Sequence, residues 1–206
     1  MKIRTLSDLS ESLETDLSWR RKEMIFYDSL LEKFSQKGVV ENVLRGSVPL
    51  LYAHWEGFLK TAFRNYLELV RRKVNFYGEL SSSMLLIELF HKFGKSTEQE
   101  IIDFFNNLAT RPVSKNFQDH VDFEGNLNSI RLKKYLRVLA ISDTMIAGKE
   151  KLIDESLLAT RNGVAHGRYL AVDRKRYQEI RTIVVKIMED IKTELENAAV
   201  QGKYLA

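Results

Sequence analysis

The strongest constraint on this 206-residue chain is its set of apolar stripes spaced by three, four and seven residues, with only two prolines and almost no strand-like alternation. Such spacing returns side chains to one face of an α-helix, whereas a half-buried strand needs a period of two. Leu6, Leu9, Leu13, Leu17, Met24, Tyr27, Leu31 and Phe34 form the first stripe, with Ser7 and Asp8 as start signals and Gly38 as the stop. A second helix is predicted over about 40–73, with Val48, Leu51, Trp55, Phe58, Leu59, Ala62 and Tyr66 facing inward. Pro49 lies inside that stripe and predicts a kink or a division.

The middle is less regular. Ser81–Phe93 reads as a short helix, and Ser96-Thr97-Glu98-Gln99-Glu100 carries a capping-box signature for the next, which should stop before Arg111-Pro112. An irregular connection containing Asn116, Asp122, Gly125 and Asn126 leads to a basic helix over 129–141 that Asn128 caps. Lys149–Ala165 forms another helix with Gly167 as its C-terminal cap, and Asp173 opens a last long one. Two outer helix pairs with an intervening segment predict an all-α antiparallel bundle. We take residues 1–206 as one domain, with about 78–145 an insertion.

Composition narrows the chemistry. Hydrophobic residues at 44% are enough for a core, and the absence of cysteine removes disulfides, thiolate metal sites and cysteine nucleophiles together. The N-terminus carries no signal-peptide pattern, and no apolar run approaches the ~20 residues that span a bilayer. A soluble, cytoplasmic chain without membrane association is the expectation. The net charge of +4 favours polyanion partners mildly. Three basic clusters stand out: Arg71-Arg72-Lys73; Arg131, Lys133, Lys134 and Arg137; and Arg168, Arg174, Lys175 and Arg176. Each reads as a solvated helix face or as an RNA contact; the last, beside His166, is the one we assign to RNA binding.

The four histidines, His54, His91, His120 and His166, show no metal-ligand spacing, and neither a phosphate loop nor a nucleophile elbow is present. No metal and no cofactor is expected. The segment Arg161-Asn162-Gly163-Val164-Ala165-His166-Gly167 is distinctive. Asn162 and His166 share a helix face, while Arg161 lies about 140° round from His166. Gly163 costs roughly 1 kcal/mol relative to alanine in a helix. That cost predicts a close approach by a partner helix or ligand. The same residues also read as a plain helix end, with His166 near the negative dipole terminus.

This segment resembles the Arg-x4–6-His signature of HEPN domains. The likeness extends to Leu17-Ser18-Trp19-Arg20-Arg21-Lys22-Glu23 and to Arg45-Gly46-Ser47-Val48-Pro49-Leu50-Leu51-Tyr52-Ala53-His54-Trp55-Glu56-Gly57-Phe58, which look like the first two helices of a bacterial subfamily bearing an Arg-Asn-x-x-Ala-His-Gly helix. The resemblance implies a helical bundle that forms a homodimer, with two such segments meeting in one cleft. It also implies a metal-independent endoribonuclease, a toxin or antiphage defence effector, with Arg161, Asn162 and His166 as catalytic residues. An antitoxin or sensor protein is then an expected partner. The alternative is a non-catalytic HEPN dimer that binds RNA, a nucleotide or a partner protein.

Residue chemistry fits the catalytic reading. RNA carries its own nucleophile, the ribose 2′-OH, so cleavage needs positioning, proton transfer and charge stabilisation. Histidine exchanges protons near neutral pH, and arginine presents a charged fork to phosphate oxygens. Asn162 is expected to orient His166 or the phosphate. Glu56 could face the cleft and pair with Arg161, or stand exposed, and Arg45 lies on nearly the same face as Glu56. Trp19 and Trp55 read as core anchors, His54 as lying off the apolar stripe, and His91 and His120 as surface or loop residues.

Overall fold

A computed structural model of the chain describes residues 2–92, 96–121, 123 and 125–206. Phe93 and Asp122 lie outside the described residues, as does the side chain of His91. The described chain is all-α and contains no strand; its only β-pairings are the isolated bridges Phe76–Pro112 and Leu80–Leu205. No described helix is long and apolar enough to cross a membrane.

Helix α1, Leu6–Lys33, starts two residues earlier than a cap at Ser7 would place it. Thr5 is the cap: its hydroxyl accepts from the Asp8 N–H at 3.1 Å while the Asp8 carboxylate accepts from the Thr5 N–H at 2.9 Å. This reciprocal arrangement satisfies two orphan donors of the first turn. The helix buries Leu9, Leu13, Leu17, Arg20, Met24 and Leu31, whereas Leu6 and Phe34, expected in the stripe, are exposed.

Helix α2, Lys37–Lys73, is a single element despite Pro49. Proline has no N–H, so the Arg45 carbonyl loses its helical donor. One turn back the Ser47 hydroxyl donates to the Val43 carbonyl at 2.7 Å. Gly38 sits in the first turn of α2, not at the end of α1. Trp55, Phe58, Leu59, Ala62, Phe63, Tyr66 and Leu67 are fully buried, because α2 packs against α1 on one side and against the last helix on another.

The central segment contains α3 (Ser82–Lys92), α4 (Glu98–Asn106) and α5 (Ser129–Val138), with a 3-10 turn at Phe117–His120. Thr97 and Glu100 form the capping box of α4, and Asn128 caps α5 by accepting from the Arg131 N–H at 2.9 Å. The Phe117–His120 turn packs on α2 and α3, with Phe117 fully buried.

The helix expected over 149–165 is wound in two ways: a π-helical stretch over Leu152–Leu158, then α6, Ala159–Ala165. Its Ala159 N–H reaches the Asp154 carbonyl, five residues back. Such wide turns occur disproportionately at functional sites. Asp154, in the wide turn, accepts from both the N–H and the hydroxyl of Ser129, at 2.7 and 2.6 Å, and so pins the start of α5 against this helix. Helix α7, Arg174–Gln201, begins at the Asp173 cap, ends at Gly202 with φ 65°, and packs along α1 and α2.

Candidate functional site

Helix α6 packs across α2 and delivers residues 161–167 to its own C-terminal end. The end is closed by two bonds: the Arg168 N–H donates to the Gly163 carbonyl at 2.9 Å and the Gly167 N–H to the Val164 carbonyl at 3.0 Å. That pair defines a Schellman turn, which needs a left-handed residue, and Gly167 supplies it with φ 76°. Gly163 is buried, and a Cβ there would lie 2.4 Å from Leu170 Cδ1. The close approach inferred from this glycine is therefore made by a side chain of the same chain, folded back over the turn, rather than by a partner or ligand.

Arg161 is half-buried, with its guanidinium carbon 4.8 Å from the centre of the Tyr52 ring. Its Nη1 donates to two neutral amide oxygens, Asn126 Oδ1 at 2.9 Å and Asn162 Oδ1 at 2.7 Å. Asn126 Nδ2 in turn donates to Asn162 Oδ1 at 3.4 Å. Among the described residues, Arg161 forms no ion pair and its Nη2 and Nε have no acceptor. The geometry thus fixes one corner of the fork and leaves the other edge free for an anion.

Tyr52 is the floor of this arrangement and is 1% exposed. Its hydroxyl accepts from the Leu127 N–H at 2.7 Å. Burial pushes the phenol up to about 12; the Leu127 N–H and the Arg161 charge oppose that rise, and the Glu56 carboxylate adds to it. Glu56 therefore acts on Tyr52, one helical turn away, and makes no ion pair with Arg161 among the described residues. Arg45 is also half-buried and forms no ion pair among the described residues. Its Nη2 donates to the Arg168 carbonyl at 3.2 Å, and its guanidinium lies 5.8 Å from the centre of the exposed Tyr169 ring.

His166 caps α6, one turn beyond Asn162, whose carbonyl accepts its N–H at 3.0 Å. Its side chain is exposed and bonds to no other described group. The Asn162 side chain is spent on Arg161 and Asn126, not on His166. All four residues of the basic cluster are exposed, and the side chains of Arg168 and Lys175 have no partner among the described residues. Arg174 donates to the Leu31 carbonyl, and Arg176 is shared between Glu179 at 3.2 Å and the Ser156 hydroxyl at 2.6 Å. Half of that cluster thus has structural partners.

Three expectations need correction. His54 is buried, 3% exposed, beside Glu23 at 3.3 Å, because it faces α1 rather than solvent. Trp19 is 45% exposed and packs its ring edge against His54, while Trp55 is fully buried. His120 is half-buried rather than on the surface, with its side chain 7% exposed, 3.2 Å from Glu88 and against Phe117. Sequence reasoning also missed Tyr52 and Asn126. Tyr52 could have been found from its i,i+4 spacing to Glu56; Asn126 lies in an irregular stretch with no periodic signal. Among the described residues no group of three His, Asp or Glu side chains could hold a metal ion.

A family model, RiboL-PSP-HEPN, matches residues 15–197, a span that runs from α1 into α7. Neither a curated protein nor a solved structure matches the chain.

Proposed function

Starting from the chain's membership of the RiboL-PSP-HEPN family, we propose that this protein is an endoribonuclease whose site is completed by a second copy of itself. The observation that carries the reading is the state of Arg161: a half-buried cation, held at one nitrogen by neutral amides and forming no ion pair with a carboxylate among the described residues. A guanidinium kept for structure is ordinarily neutralised where it is buried. One kept charged and open at one edge is suited to a phosphate that gains charge in the transition state.

The chemistry follows from the substrate. One neutral imidazole takes the proton of a ribose 2′-OH; the 2′-oxygen bonds to the adjacent phosphorus; the bond from phosphorus to the 5′-oxygen breaks. A protonated imidazole gives the leaving 5′-oxygen its proton. Base and acid must be two groups, and each chain offers one exposed histidine of the motif, so a two-fold dimer supplies His166 twice. Arg161 stabilises the phosphorane, and Asn162 fixes Arg161. Exposed Arg168 and Lys175 are free to meet flanking phosphates, with Arg45 behind them. No metal enters this scheme, because the 2′-OH is already an internal nucleophile. A toxin or defence role, restrained by an antitoxin or sensor, suits such an activity.

The test is incubation of purified protein with total RNA in EDTA, wild type beside His166→Ala, with end-group analysis. Cleavage should yield 2′,3′-cyclic phosphate and 5′-hydroxyl ends and fall at least about 100-fold in the variant. Products with 3′-hydroxyl ends would refute the mechanism. RNA binding without cleavage by wild type would favour a non-catalytic dimer, a reading supported by the lack of any group among the described residues that orients the His166 ring.

A further inference from the structure

The loop before α5 is held far more firmly than an irregular connection requires. Arg131 Nη1 donates to the carbonyls of Phe123 and Asn126, at 2.8 and 2.9 Å. The next N–H, that of Leu127, is anchored on the Tyr52 hydroxyl, and the Leu127 side chain is fully buried. Gly125 takes the left-handed turn, φ 97°, that brings the chain round. Asn128 then caps α5, and Ser129 is clamped by Asp154 of the wide helical turn that leads into α6. Four neighbouring residues are thus fixed to α2, α5 and the helix bearing the Arg-Asn-His segment. What projects from this bracket is one amide, Asn126, in contact with both Arg161 and Asn162.

We infer that the central segment completes the site, with Asn126 as a positioning residue that aims the Arg161 guanidinium while leaving its charge intact. This rests on the function proposed above and adds a residue from outside the motif. The choice of an amide is informative. An aspartate of the same size would accept the same Nη1 hydrogen bond more strongly, but it would neutralise the cation. An amide fixes direction without spending charge. Its second face donates to Asn162 Oδ1, so the two asparagines and the arginine lock one another. A loose guanidinium would have to be ordered anew at each turnover.

The inference separates from a merely structural role by the size of two effects. Asn126→Asp should lower the melting temperature by no more than about 2 °C, because the ion pair it adds to Arg161 offsets the hydrogen bond to Asn162 that it removes. It should nevertheless lower kcat by about 100-fold, with a smaller change in KM. Asn126→Ala should lower kcat by about 10-fold, and should have no further effect in an Arg161→Ala background. Asn128→Asp is the charge control: it places the same new carboxylate two residues away and keeps the helix cap. That variant should cleave within about 3-fold of wild type.

Wild-type kcat in Asn126→Asp, or losses in Asn126→Ala that persist undiminished without Arg161, would overturn the inference. If wild type cleaves no RNA, the proposed activity fails, and Asn126 is judged on binding of a fluorescein-labelled single-stranded RNA in EDTA. Asn126→Asp should then weaken binding by about 10-fold relative to Asn128→Asp, through loss of the Arg161 charge. Equal affinities would overturn it.

Discussion

Two arginines lie close to α2 with their guanidinium groups over aromatic rings, and the protein treats them in opposite ways. Arg20, from α1, sits 4.5 Å from the Trp19 ring centre; Arg161, from α6, sits 4.8 Å from that of Tyr52. Arg20 is fully committed. Its Nε and Nη2 donate to the Asp16 carboxylate at 2.9 and 3.2 Å, and Nη1 donates to the His54 carbonyl at 3.3 Å. It also fills the space over Gly57, where a Cβ would lie 2.8 Å from Nη1. Among the described residues Arg161 has one nitrogen engaged, with neutral partners. Arg20 has its charge matched by a carboxylate of its own helix and reaches α2 through the His54 carbonyl; a charge matched only by amides retains its field for something else.

The contrast breaks if the two substitutions behave alike. The largest expected effect is on Arg161→Ala: a loss of about 100- to 1,000-fold in RNA cleavage, the range for removing a transition-state charge donor. Its melting temperature should move by no more than about 4 °C, since no ion pair is lost. Parallel cleavage assays and thermal melts decide it. An Arg161→Ala protein that unfolds readily would make Arg161 structural and remove the main support for the proposed chemistry.

Arg20→Ala should do the reverse. Removing it leaves the largely covered Asp16 carboxylate with Trp19 Nε1 as its remaining donor and opens a gap over Gly57. The expected cost is about 2–4 kcal/mol of unfolding free energy, as for breaking one partner of a largely buried pair. Cleavage per folded molecule should stay within about 3-fold of wild type. Urea titration gives the first quantity. A cleavage loss that survives correction for the folded fraction would join the α1–α2 contact to the site and erase the distinction.

The same two regions show what a sequence reveals. The bundle was legible because helix stripes are local and periodic: Leu9, Leu13 and Leu17, or Ile180, Val184, Ile187 and Ile191, announce their burial by spacing alone. Capping was nearly as legible, since Thr97 with Glu100, Asn128 and Asp173 act within their own first turns. Arg161, Asn162 and His166 stood out by type and order, but not by contact. Asn126 is 35 residues from Arg161, and only the folded chain brings them together. His54 was misjudged because α2 is enclosed on more than one side, so a polar residue off the main stripe is still covered. The wide turn at Leu152–Leu158 was invisible, because its residues are ordinary helix formers and the extra loop of backbone is set by packing.

The smallest effect expected from the comparison concerns the histidines of the two regions. His54 is 3% exposed between α1 and α2, and burial lowers its pKa below the ordinary 6.5, with Glu23 opposing and Arg20 reinforcing that shift. The fold therefore holds a neutral ring, while the unfolded chain takes up a proton more readily. Its contribution to stability is complete above about pH 6.5 and is lost as pH falls through the lower, folded value. Thermal melts of wild type should accordingly decline on mild acidification, and His54→Gln, which cannot titrate, should decline less steeply over the same range. Equal slopes for wild type and His54→Gln would mean that the ring charges without strain, and that α1 and α2 separate there more easily than the Arg20 contact implies.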